Sequence, residues 1–318
     1  MILGRPGWRD ERVDDSPGVS WATGPSATLS TVPIASIALD FDPILRLGDV
    51  TIRWQTAALA AVILAGLVMA AVAARRARFW SDDLLFVVVG AVPGAVVGGR
   101  LGYVLANVEF YQAHPAAIVD PAQGAMTLAL AVVGGVLTSA IVAHLLGTPI
   151  RGWLHIAAIP LLVTIGLGKL AMALGGSGQG LPADVDWATA YLGPGPWGSL
   201  APEIPSHPSQ LYEGIVALLV AAVLAAAFVL GLFKGRTGRA FLAGVALWSA
   251  GRALVGSTWR GAEAVGPLRV EQVVAIGLAA VCLLLLLAPL TPVVVDETRP
   301  GRRGRSPEWP DPATRPRF

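Results

Sequence analysis

Seven apolar runs separated by polar breaks dominate the chain, at residues 57–74, 84–108, 126–146, 154–174, 211–233, 240–257 and 270–290. Most approach the ~20 residues that a helix rising 1.5 Å per residue needs to cross about 30 Å of hydrocarbon. The sequence therefore predicts an all-α, polytopic membrane bundle of seven transmembrane helices. A chain that is 54% hydrophobic and 14% charged, with mean hydropathy +0.65, carries too little polar surface for a soluble domain, and the spans leave no room for a second one.

Cations set the expected sidedness. Arg75, Arg76 and Arg78 follow the first run, Arg151 precedes the fourth, and Lys234, Arg236 and Arg239 separate the fifth from the sixth. Arg299, Arg302, Arg303 and Arg305 follow the seventh, whereas the breaks after the second and fourth runs hold no Lys or Arg. Because Lys and Arg collect in cytoplasmic loops, the N-terminus is expected outside and the C-terminus in the cytoplasm, in a membrane of the inner-membrane type. Arg260 and Arg269 dissent; both are expected at the outer interface, where replacing Arg260 does little. The formal charge of +2 reflects this asymmetry, and no nucleic-acid motif accompanies it.

The expected organisation is an outer N-terminal tail (1–39), a seven-helix domain (40–290) and a basic, Pro-rich cytoplasmic tail (291–318) suited to anionic headgroups. The first tail is rich in Ser, Pro, Gly and charge, and reads neither as a cleavable signal peptide nor as a span. The single cysteine, Cys282, lies in the last run, which excludes an intramolecular disulfide and a thiolate metal cluster and leaves it a small apolar packing residue. The break at 175–210 is far longer than a helix connection needs and contains Trp187, Tyr191 and Trp197. It predicts a small outer subdomain whose aromatics anchor at the headgroups or line a site.

Three cations interrupt apolar runs: Arg100 in the second, Lys169 in the fourth and Arg252 in the sixth. An ionised group in hydrocarbon is costly unless paired or hydrated, so each is a functional candidate. Counted at helical rise they lie roughly 18 to 24 Å up spans that run outward, in the outer half. Gly98, Gly99 and Gly102 flank the first, Gly166 and Gly168 the second, and Gly251 the third. Small residues either admit a close neighbouring helix or leave room beside the backbone. The expectation is one shared cavity for an anionic lipid head group, with pairing to Glu213, Glu271 or Asp120 as the alternative.

Residues 206–214, SHPSQLYEG, put His207, Ser209, Gln210, Tyr212 and Glu213 where the outer break becomes the fifth span. So many hydrogen-bonding groups exceed what an N-terminal cap requires. His207 and Glu213 are the candidates for acid–base work, and Tyr212 for a hydrogen-bond donor. His114 and His155 are expected near interfaces and His144 near the inner end of its span, none with a chemical role.

This stretch, together with GGRLGYV at 98–104, resembles the bacterial prolipoprotein diacylglyceryl transferases, which carry HPSQLYE entering the fifth span and GGRxGYV in the second. Phe41-Asp42-Pro43 ahead of Trp54 is similar to that family's N-terminal arm, Arg252 to its sixth-span arginine, and the likeness covers about 40–290. The resemblance implies transfer of the diacylglyceryl group of phosphatidylglycerol to the lipobox cysteine thiol of a prolipoprotein signal peptide, in the bacterial inner membrane. It implies release of glycerol phosphate, without a metal or other cofactor. Arg100, Lys169, Arg252 and Gln210 would hold the head group, and His207, Glu213 and Tyr212 would serve catalysis.

Several positions depart from the family pattern. Ala129 replaces a third-span histidine, Lys169 an arginine, Met172 an asparagine and Ser177 a glutamate. Gln55 stands at a tyrosine position before the first span, and Gly256 at an acidic position one turn after Arg252. Lysine keeps the charge of arginine but not its bidentate fork. The readings left open are a divergent transferase, a member that binds anionic phospholipid or lipoprotein signal peptides without catalysis, and a small transporter.

Overall fold

The computed structural model describes residues 36–77, 81–120, 126–233, 238–261 and 263–288. Both expected tails lie largely outside this range, as do Arg78, Lys234, Arg236 and Arg299 onward. Seven of the described helices are long and apolar enough to cross a membrane: α1 (Trp54–Arg76), α2 (Ser81–Ala106), α4 (Leu128–Leu145), α5 (Ile150–Met172), α6 (Ser209–Val229), α7 (Arg239–Val255) and α8 (Val270–Leu287). The short α3 (Val108–Ala113) follows α2. The seven expected spans are thus the seven long helices. Their outward faces carry leucine and valine, among them Leu64, Leu85, Leu219 and Leu284, all more than half exposed. Such faces suit hydrocarbon.

Lipid tails are as apolar as leucine, so burial alone does not hold these helices together; close packing and buried polar contacts must. Helices α2 and α4 meet through glycines. A Cβ added to Gly94 or to Gly134 would overlap the other's carbonyl oxygen, and one on Gly98 would overlap that of Leu130. The Ser139 hydroxyl donates to Val87 O across the same contact at 3.1 Å. The glycines around Arg100 therefore seat α4 and leave no room for a ligand. Gly134→Ala should lower stability by about 1–3 kcal/mol through overpacking, measured as thermal unfolding in detergent; an unchanged midpoint would refute this account of the seam.

The main core lies among α5, α6, α7 and α8, where Leu162, Leu224, Phe241, Val245 and Trp248 pack with Cys282. Cys282 is a buried apolar residue, as expected. His155 lies in the second turn of α5, buried and edge-on to Phe228 at 5.0 Å.

At the end of the bundle opposite Arg75, Arg76 and Arg151, the connections fold into small sheets. Strand β1 (Ser36–Leu39) pairs in parallel with β4 (Ala188–Tyr191), whereas β2 (Ile44–Leu47) pairs antiparallel with β3 (Val50–Arg53) and β5 (Glu263–Val265) antiparallel with β6 (Leu268–Arg269). Residues 36–39, assigned by sequence to the tail, thus form a strand of the folded part. Every residue of β4 is buried, and Trp197 packs between Phe41 and Tyr191, 5.1 and 4.9 Å from their rings. The long break is a folded cap, tied to the start of α6 by Gly180 N–H to His207 O and His207 N–H to Leu181 O.

Candidate active site

Four helix ends converge beneath this cap. Lys169 lies in the last turn of α5, Gln210 and Glu213 at the start of α6, Arg252 in the last turn of α7 and Glu271 in the first turn of α8. With Gly178, Gln179, Trp259 and Arg260 they line a cavity of about 160 Å³. The volume suits a polar head group and excludes a whole lipid.

Glu213 is 1% exposed and neutralised twice: Arg252 Nη1 binds Oε1, and Lys169 Nζ lies 2.8 Å from Oε2. Arg252 Nη2 reaches Glu271 Oε2 at 2.5 Å, and its guanidinium lies 4.3 Å from the Trp259 ring centre. The fork of one arginine thus reaches two carboxylates through separate nitrogens, a fixed planar geometry that lysine does not have. Arg252 Nε and Gln210 Oε1 are buried without a hydrogen-bond partner among the described residues. Buried polar atoms are nearly always paired, so a donor and an acceptor left over on cavity-lining residues point to a ligand.

The cap contributes its own polar groups. Gln210 Nε2 donates to the Tyr191 hydroxyl at 3.0 Å. Burial pushes that hydroxyl up to about 12, the bond from Gln210 opposing the shift, so Tyr191 stays protonated at neutral pH. Arg260 Nε donates to Gly180 O at 2.5 Å and Nη2 to Ser206 Oγ at 2.9 Å, while Gln179 Nε2 donates to Thr189 O at 2.6 Å. Arg260, expected at the outer interface, is built into the cavity wall.

The expectation that Arg100 shares this cavity is overturned. Its Nε and Nη2 donate to Ile118 O and Ala117 O at 2.8 and 2.5 Å, and its guanidinium lies 5.3 Å from the Tyr111 ring centre. It fastens α2 to the turn that follows α3. His207 and Tyr212 also lie outside the cavity lining. Tyr212 is two residues from Gln210, about 200° around a helix, whereas Glu213 is three away and shares its face. The Tyr212 hydroxyl instead accepts from Trp187 Nε1 at 2.6 Å and lies 3.3 Å from His207 Nδ1.

A family model described as prolipoprotein diacylglyceryl transferase matches residues 43–288. The chain belongs to that family. A Nostoc relative named phosphatidylglycerol–prolipoprotein diacylglyceryl transferase is 29% identical over 84% of this chain and 98% of its own length. Relatives of the same name from Methylocella silvestris and Geobacter sulfurreducens are each 32% identical, over 60% and 65% of this chain and 75% and 76% of theirs.

Two of the positions that the sequence sets apart from the family pattern, Gln55 and Ser177, meet in the structure: Ser177 Oγ donates to Gln55 Oε1 at 2.9 Å. Gly256 has no room for a side chain, since a Cβ there would overlap Gln272 Cγ. Gln272 in turn donates to Ala253 O at 2.9 Å. The carboxylate that Arg252 meets beside Glu213 is Glu271, from the neighbouring helix. Ala129 is buried in the first turn of α4, away from the cavity lining. Sequence reasoning missed Gln179, Trp259 and Arg260 and treated Glu271 only as a possible partner. An acid at the start of an apolar run was the available signal for Glu271; the other three depend on how the cap folds.

Proposed function

We propose that the chain transfers the diacylglyceryl group of phosphatidylglycerol to the thiol of a prolipoprotein's lipobox cysteine, forming a thioether and releasing glycerol phosphate. One observation carries this reading beyond family membership. Lys169, Arg252 and Arg260 line one cavity with Glu213 and Glu271, leaving an excess of one positive charge, the complement of a phosphodiester monoanion. Arg252 Nε and Gln210 Oε1 supply a donor and an acceptor for the glycerol phosphate head. Arg252 and Lys169 also oppose the negative charge that grows on the phosphate as the leaving group departs. The acyl chains would extend between helices into the bilayer.

The arginine pattern supports an orientation with the cap and cavity outside the cytoplasm, the N-terminus on that side and the C-terminus in the cytoplasm, in the inner membrane. Residues 40–290 would form the catalytic domain and 291–318 a basic tail resting on anionic headgroups.

The protein purified into vesicles containing phosphatidylglycerol should convert a lipobox peptide to its diacylglyceryl thioether, detected by mass, and should support growth of a strain depleted of its own transferase. Retention of phosphatidylglycerol without thioether formation and without complementation would overturn transfer in favour of binding alone.

A further inference from the structure

Transfer requires that the thiol lose its proton, and no histidine lines the cavity. Resting on the transferase reading above, we infer that Glu271 is the proton acceptor. Arginine is never a proton acceptor at physiological pH. The Lys169 ammonium is committed to Glu213 at 2.8 Å. Glu213 is 1% exposed and holds a cation on each oxygen, so both of its oxygens are already charge-paired. Tyr191 keeps its proton and donates or accepts only hydrogen bonds at neutral pH. Tyr212 meets Trp187 and His207, and neither Tyr212 nor His207 lines the cavity.

Glu271 differs on each count. Its side chain is 37% exposed, and Arg252 binds only Oε2. Oε1 makes no hydrogen bond among the described residues. Arg252 thereby orients the carboxylate and leaves one oxygen turned to an incoming group. The same cations that hold the phosphate lower the cost of a thiolate beside them, so a carboxylate suffices as acceptor.

The step balances without any further reactant. The thiol proton passes to Glu271 Oε1, and the sulfur electron pair attacks the glyceryl carbon that bears the phosphate ester. The C–S bond forms as the C–O bond breaks, and its electron pair leaves on the phosphate oxygen of glycerol phosphate. Glu271 then returns its proton to the phosphomonoester dianion or to water.

The test is Glu271→Gln, which keeps an oxygen for Arg252 and removes the proton acceptor. Two peptides are compared, one with the lipobox cysteine and one with selenocysteine in its place, because a selenol ionises at far lower pH than a thiol. With the cysteine peptide, kcat should fall by about 10²–10⁴-fold, the usual worth of a general base, while phosphatidylglycerol affinity changes little. With the selenocysteine peptide the loss should shrink to less than about tenfold. Glu271→Asp, which keeps a carboxylate at shorter reach, should show partial activity with the cysteine peptide and guards against misfolding of the first variant. Equal losses on both peptides would make Glu271 a structural partner of Arg252 and overturn the inference. A selenol-rescued loss in Lys169→Gln instead of Glu271→Gln would move the role to Lys169. Wild-type protein inert towards both peptides would overturn the transferase reading itself.

Discussion

Arg252→Ala is expected to abolish transfer and to destabilise the bundle, the largest single effect available in this chain. The substitution strands Glu213, 1% exposed, with Lys169 as its remaining cation, and frees Glu271 altogether. Breaking a buried ion pair by removing one partner typically costs 3–5 kcal/mol, because the surviving charge stays buried. Transfer should fall further than stability does, since in the proposed reaction the guanidinium would also face the phosphate and offset its developing charge; loss of one such donor alone costs about 10²–10³-fold in rate. Arg252→Lys separates the two effects. It restores a cation near Glu213, so the protein should insert and unfold close to the wild-type midpoint, but a single ammonium lacks the planar fork that reaches Glu213 and Glu271 from separate nitrogens and leaves Nε for the phosphate, so transfer should stay low. Thermal unfolding in detergent and rates of thioether formation would be measured on both variants. Wild-type transfer by either would remove Arg252 from the reaction.

The seven helices were legible because crossing a bilayer imposes length and apolarity on each segment separately. Lys169 and Arg252 were legible for the same reason: a cation at that depth must meet an anion. Which anion was not legible, since Glu213 enters from α6 and Glu271 from α8, and only their assembly places both on one guanidinium. Arg100 shows where depth alone fails. Glycines beside a cation in an apolar run have two uses, room for a ligand or contact with a helix, and Gly98 and Gly102 serve the second by seating Leu130 and Thr127. The HPSQLYE stretch shows a further limit. Its residues are adjacent in sequence, yet the turn of α6 sends Gln210 and Glu213 to the cavity and Tyr212 to Trp187. A motif marks the place without dividing its labour.

Arg260→Ala is expected to weaken phosphatidylglycerol binding substantially, against the sequence expectation that this residue is idle. Its guanidinium fastens the cap at two points, Gly180 O and Ser206 Oγ, and lines the same cavity as Lys169 and Arg252. Hydrogen bonds from a charged donor contribute roughly 1.5–3 kcal/mol each. Losing them, together with one of three cations, should raise KM for phosphatidylglycerol by about 10- to 100-fold. The effect should fall more on KM than on kcat, because Arg260 sits on the cap while the Glu213, Arg252 and Glu271 cluster stays intact. Amide exchange should quicken around Gly180 and Ser206, the segments that the guanidinium pins, and not in α7. Arg260→Lys should recover part of the affinity through its charge while leaving exchange fast, because a single ammonium does not reproduce the two-point contact. Unchanged KM and unchanged exchange in Arg260→Ala would return this residue to the interface and would leave the cap held by its backbone pairing and by bonds such as Gln210 to Tyr191 and Trp187 to Tyr212.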